Sequence, residues 1–254
     1  IFFVCKICNI GAISYMLMVY ADIHNYFDDF LKKYNDYKHL VDTIVMAGDQ
    51  CPWPVDEPQN TPVLKNVINK MDCQTFYILG NHDADQETYL ANHLEVWENH
   101  LHCRVIKTTE NIRVAGISGN FDSEIWMPPD EPKWRNRTEF REFCRVQNPY
   151  SIKYQLYKDY LPKRYWPVIF PEDIYNILNL QADVLVLHEA PSCHPYGYEI
   201  IDEIAEMMKV SLIVHGHHHE NYSSKTKFKT KTIGLGKEDY ILLDKNMIRR
   251  WGKK

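Results

Sequence analysis

The sequence predicts an α/β fold built around strands that are parallel for much of their width. Three observations carry this reading. Short apolar runs alternate with helical patterns along the whole chain. Several of those runs are apolar throughout, as strands buried on both faces are. The first three end in Asp22, Asp49 and Asn81, which are 27 and 32 residues apart, the length of one βαβ unit of ~30 residues each.

The strands are expected at Leu17–Asp22, Thr43–Ala47, Thr75–Leu79, Asn111–Ile117, Asp183–Leu187, Ser211–Val214 and Tyr240–Leu243. Between them, Asn25 is placed to cap a helix running to Tyr37. Thr61 followed by Pro62 reads as an N-cap with proline in the first turn, opening a helix to Met71. Helical periodicity covers Gln86–His100. Pro171 opens a helix to Leu180, and Glu199–Met208 is amphipathic with Ile200, Ile201, Ile204 and Met207/Met208 along one side. Residues 121–170 break the rhythm. They hold 12 of the 33 aromatics, nine Lys/Arg and seven Asp/Glu, too much chain for a plain connection. They are expected to form an inserted, partly helical, aromatic-rich cap.

Composition excludes several classes. With 254 residues, 45% hydrophobic and 25% charged, the chain can bury a sizeable core and is neither a disordered tail nor a coiled coil. A mean hydropathy of −0.43 excludes a polytopic membrane protein. The net charge of −5 gives no global pull toward nucleic acid, which is therefore not an expected partner. Residues 222–254 carry ten Lys/Arg against three Asp/Glu, which leaves the remainder of the chain at −12. The run KTKFKTKT, with Lys225, Lys227, Lys229 and Lys231, is read as a lysine-protected edge strand.

The N-terminal stretch IFFVCKICNIGAISYMLMVYA is apolar, but it lacks a basic leader and a small-residue cleavage site, and its last third runs into the ADIHNY segment needed in the core. Residues 1–15 are therefore expected to be an extension outside a domain spanning 16–254, and no membrane anchor is expected. Seven cysteines at irregular spacing fit reduced thiols and a cytoplasmic location. The lone Cys5/Cys8 pair is a weak zinc or redox signal.

The chemistry gathers at the strand ends. The first strand ends in Asp22-Ile23-His24, the second in Gly48-Asp49, the third in Gly80-Asn81-His82-Asp83, a later one in His188, and another in His215-Gly216-His217-His218-His219. In open parallel sheets ligands bind at the carboxyl ends of strands. Residues two apart on an extended chain face the same way, so Asp22 pairs with His24 and His217 with His219. Asp22, His24, Asp49, Asn81, His188, His217 and His219 offer imidazoles, carboxylates and one amide, a mixed N/O set for Mn, Fe or Zn. Seven donors are too many for one first-row ion but suit two ions sharing a carboxylate.

D-x-H, G-D, G-N-H-D, a lone His after an apolar strand and G-H-x-H, in that order over residues 17–219, resemble the calcineurin-like metallophosphoesterase superfamily. The resemblance implies a four-layer α/β/β/α sandwich of two mixed sheets flanked by helices, with two divalent metals at one edge, manganese first among the candidates and iron or zinc behind it. Carried over residue by residue, Asp22, His24 and His219 hold the first metal, Asn81, His188 and His217 the second, and Asp49 bridges both. A hydroxide between the metals attacks phosphorus. His82 is the candidate general acid, oriented by Asp83. Asn81, His82, Arg135 and Arg137 are the candidate substrate contacts. One departure matters: Gly48-Asp49 is followed by Gln50-Cys51-Pro52-Trp53, without the phosphate-clamping Arg of the Ser/Thr phosphoprotein phosphatase branch. This favours a small bacterial or phage-type branch.

The expected function is hydrolysis of a small or nucleotide-like phosphate ester. A phosphoprotein phosphatase or nuclease of the same superfamily is the alternative, and a weakly active binding scaffold is the alternative of another class. No ligand position is missing, which speaks against the scaffold. Trp126, Trp134 and Tyr150 are read mainly as a local aromatic core. His194, His215 and His218 are read as loop, core and undecided positions.

Overall fold

The computed structural model describes residues 15–54 and 63–252. The expected extension at 1–15 lies outside the described residues except for Tyr15, as do Cys5, Cys8 and the Thr61-Pro62 helix start.

The chain opens β1 (Met16–Ala21), α1 (Phe27–Tyr37), β2 (Val41–Ala47), α2 (Leu64–Ile68), β3 (Gln74–Ile78) and α3 (Glu87–Leu94). It continues β4 (Val105–Lys107), β5 (Arg113–Ile117), α4 (Arg137–Gln147), a small hairpin β6 (Leu156–Tyr157) and β7 (Leu161–Pro162), and α5 (Pro171–Leu178). It closes with β8 (Val184–Leu187), α6 (Glu199–Met207), β9 (Leu212–His215), β10 (Tyr222–Lys225), β11 (Lys231–Gly234), β12 (Asp239–Leu243) and α7 (Lys245–Trp251). One sheet has the order β12-β1-β2-β3 and the other β10-β11-β9-β8-β5-β4. Both are mixed. β1, β2 and β3 run parallel with β12 antiparallel at the edge. β11, β9, β8 and β5 run parallel, with β10 and β4 antiparallel at either edge.

Period-2 alternation sorts the side chains into layers. Leu17, Val19 and Ala21 of β1 and Val45 and Ala47 of β2 meet Val114, Val184, Val186, Leu212 and Val214 between the sheets. The alternate residues Met18, Tyr20, Ile44 and Met46 face Phe27, Phe30 and Tyr34 of α1. On the second sheet Ala115, Ile117, Leu185, Leu187 and Ile213 face Ile174 and Ile177 of α5 and Ile201 and Ile204 of α6. Each such aliphatic side chain contributes roughly 1.5–3 kcal/mol when fully buried. The result is helix, sheet, sheet, helix, with the parallel strands of both sheets ending on one side.

Between β5 and α5 lie α4, the β6–β7 hairpin and several 3₁₀ turns. This stretch has its own core of Ile125, Phe140, Cys144, Leu161, Tyr165, Val168 and Phe170. Trp134 packs on Phe140 and Phe143 within it, whereas Tyr150 is exposed.

Several expectations need correction. The helix expected over Gln86–His100 stops at Leu94, and a 3₁₀ turn at Trp97–Asn99 follows. The strand expected from Asn111 starts at Arg113, because Asn111 takes a left-handed turn conformation with φ 58°. The lysine run is a hairpin turn rather than a strand: β10 ends at Lys225, β11 starts at Lys231, and Thr226 N–H donates to Thr230 O between them. Lys227 there pairs with Glu199 and Glu203 of α6.

Candidate metal centre

β1 ends at Ala21, and the chain then turns through Asp22, His24 and Asn25 with φ of 51°, 43° and 75°. Asp49, His217 and His219 are also left-handed, at 50°, 73° and 54°. Left-handed backbone costs a non-glycine residue of order 1–3 kcal/mol, and it persists where surrounding structure holds it. Here His24 N–H donates to Asp49 O at 2.9 Å, Asn25 N–H to Gln50 O at 3.0 Å, and His217 N–H to the Asp22 carboxylate at 3.1 Å. Asp22 and His24 therefore converge through a turn and not through strand alternation. Gly48 makes the approach possible: at φ 93° it tolerates the left-handed region, and a Cβ there would lie 2.3 Å from His188 Nδ1.

The ligating atoms of Asp22, His24 and His219 lie within 4.8 Å of one another, and those of Asp49, His188 and His217 do the same. Asp49 stands between the two groups, its Oδ2 3.3 Å from His188 Nε2 and 3.9 Å from His24 Nε2. Asn81 joins the second group, its Oδ1 3.1 Å from His188 Nε2. Asp22, Asp49 and His188 are fully buried or nearly so.

The donor set fits cations. A backbone carbonyl only accepts, so His24 Nδ1–H donates to Cys51 O at 3.3 Å and His188 Nδ1–H to Ala47 O at 3.0 Å. That leaves each Nε2 facing the centre. There His24 Nε2 lies 3.1 Å from His219 Nε2, beside two buried carboxylates. Such a pocket is electron-rich and calls for positive charge. At His188 burial opposes the charge, yet the Asp49 carboxylate lifts the imidazole to about 10, and a bound cation would take the place of that proton. Burial likewise opposes ionisation of Asp49, and His188 nonetheless holds that carboxyl well below the usual range. Burial pushes His217 down to about 3, aided by His188, and lowers His24 as well, so both rings are neutral as ligands must be.

His82 lies beside this centre. Its backbone N–H donates to Asp49 Oδ1 at 2.9 Å, and its Nδ1 pairs with Asp85 Oδ2 at 2.7 Å. Burial lowers its pKa, but the Asp85 hydrogen bond and the Asp49 charge outweigh this and the net shift is upward. Asp83 is not the partner of His82. It is buried, with Oδ1 accepting from Cys51 N–H at 2.9 Å and Oδ2 from Gly80 N–H at 2.8 Å, and it ties the two ligand-bearing loops together. Asp85 is the residue that sequence reasoning misses. Asn81–Ala84 is a 3₁₀ turn, in which positions i and i+3 eclipse, so the acid three after His82 covers it.

The arginines expected at substrate sit elsewhere. Arg137 is engaged, half-buried, in ion pairs with both oxygens of Asp173, at 2.5 and 2.9 Å, and with Glu172 at 3.0 Å. Arg135 lines a separate groove with Trp126, Ile174, Tyr175 and Met207, and none of the seven candidate ligands borders it. His215 is a core residue bonded to Tyr222 Oη at 2.6 Å, and His194 stacks on His218 at 4.0 Å.

A model of the calcineurin-like phosphoesterase family matches residues 15–221. An uncharacterized protein of Haemophilus influenzae is 36% identical over 169 residues, which are 65% of this chain and 70% of that protein. Among solved structures, TT1561 of Thermus thermophilus aligns over 94% of this chain and 96% of its own, at 14% identity and a TM-score of 0.57. A dimetal phosphatase from Danio rerio aligns over 89% of each chain, at 10% identity and a TM-score of 0.54. At these identities the two structures share the fold. Among the described residues no helix is long and apolar enough to cross a membrane.

Proposed function

Because the chain belongs to the calcineurin-like phosphoesterase family and is a metal-dependent phosphoesterase, we propose that it hydrolyses a small or nucleotide-like phosphate ester at a two-metal centre. The observation that carries this is the position of the Asp49 carboxylate, within reach of His24 on one side and His188 on the other. Asp22, His24 and His219 would hold one ion, Asn81, His188 and His217 the other, with Asp49 shared. Manganese is the first candidate, with iron or zinc behind it, since imidazole, carboxylate and amide donors suit all three. Two bound cations would supply an acidified water and would neutralise charge on the phosphoryl oxygens.

The chain's own residues supply the rest. The Asp85 carboxylate fixes the His82 ring through Nδ1, which leaves Nε2 to hand a proton to the departing ester oxygen. Asp49 Oδ1 accepts the His82 backbone N–H, so the acid is registered against the centre by the residue that both metal groups share. Gly80 N–H and Cys51 N–H, both bound by Asp83, hold the loops of Asn81 and Asp49 at fixed separation. The five cysteines among the described residues are unpaired, which supports a reducing, cytoplasmic setting.

The test is a substrate panel of phosphomonoesters, diesters and dinucleoside polyphosphates with added Mn²⁺, run beside metal analysis. Hydrolysis of at least one class with two ions per chain is expected. Hydrolysis that survives complete metal removal would overturn the proposal.

A further inference from the structure

We propose that Trp53 is a stacking platform for the leaving group, so that the enzyme prefers phosphate esters whose departing alcohol carries a planar aromatic ring. This rests on the phosphoesterase reading above. Trp53 follows the loop that carries Asp49, and its ring centroid lies 5.3 Å from that of His82 at an interplanar angle of 31°, and 6.4 Å from that of His24. It is 50% exposed, and its ring contacts among the described residues are these two imidazoles. A half-exposed tryptophan at the mouth of a polar site presents a large rigid apolar face that nothing in the fold of the described residues uses.

The position of that face decides what it contacts. A general acid works only within hydrogen-bond reach of the oxygen it protonates. His82 Nδ1 is held by Asp85, so the ester oxygen must come to Nε2. The group attached to that oxygen then lies along the His82 ring, and the apolar surface it meets there is Trp53. The phosphoryl end faces the opposite way, toward Asp22, Asp49 and the ligating histidines. An aromatic ring a few bonds beyond the ester oxygen, in a benzyl or nucleoside group, reaches the indole in an offset or tilted stack, whereas an alkyl chain gains only area. The choice is made on the leaving-group side, and it is set by a residue outside the metal-ligand set.

The experiment compares benzyl phosphate and adenosine 5′-phosphate with butyl phosphate, alcohols without an activated leaving group, on wild type, Trp53→Ala and Trp53→Phe. Equilibrium binding of benzylphosphonate and butylphosphonate is measured by calorimetry on the same proteins. The kcat/KM ratio of benzyl to butyl should fall roughly tenfold in Trp53→Ala, within the range known for one aromatic stacking contact. The loss should appear in KM and in phosphonate affinity, because stacking is gained before the transition state, and Trp53→Phe should recover most of it. Equal losses on all three esters would overturn the inference and make Trp53 a support of the His82 ring. A wild type that hydrolyses esters with no aromatic preference would also overturn it while leaving the phosphoesterase reading intact. Failure to hydrolyse or bind any ester would remove both.

Discussion

His82 Nδ1 and Asp85 Oδ2 are 2.7 Å apart, on a 3₁₀ turn that brings the acid three residues on over the imidazole. Asp83, the neighbour in sequence, faces the other way into the protein and binds two backbone N–H groups. The two acids therefore have separable jobs. Asp85→Asn keeps an acceptor for the ring but removes the charge. It should lower kcat on esters with poor leaving groups by less than the roughly 10²–10⁴-fold that loss of a general acid costs, with the melting temperature unchanged. Asp83→Asn should lower stability by about 1–3 kcal/mol, because an amide cannot accept from both buried N–H donors. Urea melts and steady-state kinetics on both variants check this. A kinetic defect confined to Asp83→Asn would reverse the assignment.

His82→Ala should lower turnover on alkyl phosphates by roughly 10²–10⁴-fold with metal content intact. The loss should shrink on nitrophenyl phosphate, whose leaving oxygen departs without a proton. Plotting log kcat/KM against leaving-group pKa for wild type and variant checks the point. Parallel lines would remove His82 from the acid role.

The Asp173–Arg137 pair joins α5 to α4, with Asp173 buried and the Arg137 side chain 13% exposed. Burial alone would raise the Asp173 carboxyl, but His102 and Arg137 hold it well below the usual carboxylate range. Its folded pKa lies below its unfolded one, so the pair's contribution to stability is present above the unfolded value of about 3.9 and is lost as pH falls through the folded value. Asp173→Asn should cost about 3–5 kcal/mol near neutrality, as expected when a buried charge loses its partner. It should also flatten the acid limb of stability against pH. Urea denaturation from pH 3 to 7 measures both, and an unchanged acid limb would contradict the linkage.

The metal-site residues stand out in the sequence because each follows an apolar strand and most fall in short motifs. The parallel order of β1, β2 and β3 then brings Asp22, Asp49 and Asn81 together. The backbone at those residues is not legible there, since φ near +50° at Asp22 and Asp49 is imposed by hydrogen bonds to distant loops. Asp85 is hidden because a strand-end reading does not foresee a 3₁₀ turn. Val105–Lys107, only three residues at a sheet edge, and the polar β10 carry too little hydrophobic pattern to stand out. Arg137 is misread because an arginine in an aromatic-rich stretch suits a phosphate contact as well as it suits the partner of a buried acid 36 residues away.

Asp49 is the hinge of the whole account, and metal stoichiometry of Asp49→Asn tests it most directly. An amide carries no charge, so an amide oxygen in the place of Oδ2, which faces both metal groups, cannot balance two cations as the carboxylate oxygen does. Purified wild type, Asp49→Asn, Asp22→Asn and His188→Ala are each equilibrated with Mn²⁺ and their metal content measured. Wild type should hold two ions per chain. Asp22→Asn and His188→Ala should each empty one site first. Asp49→Asn should hold less metal than either, with activity near background at pH 7. If Asp49→Asn keeps both ions and more than about a tenth of the wild-type rate, a barrier change under roughly 1.4 kcal/mol, Asp49 does not bridge and the two-metal centre is wrongly drawn.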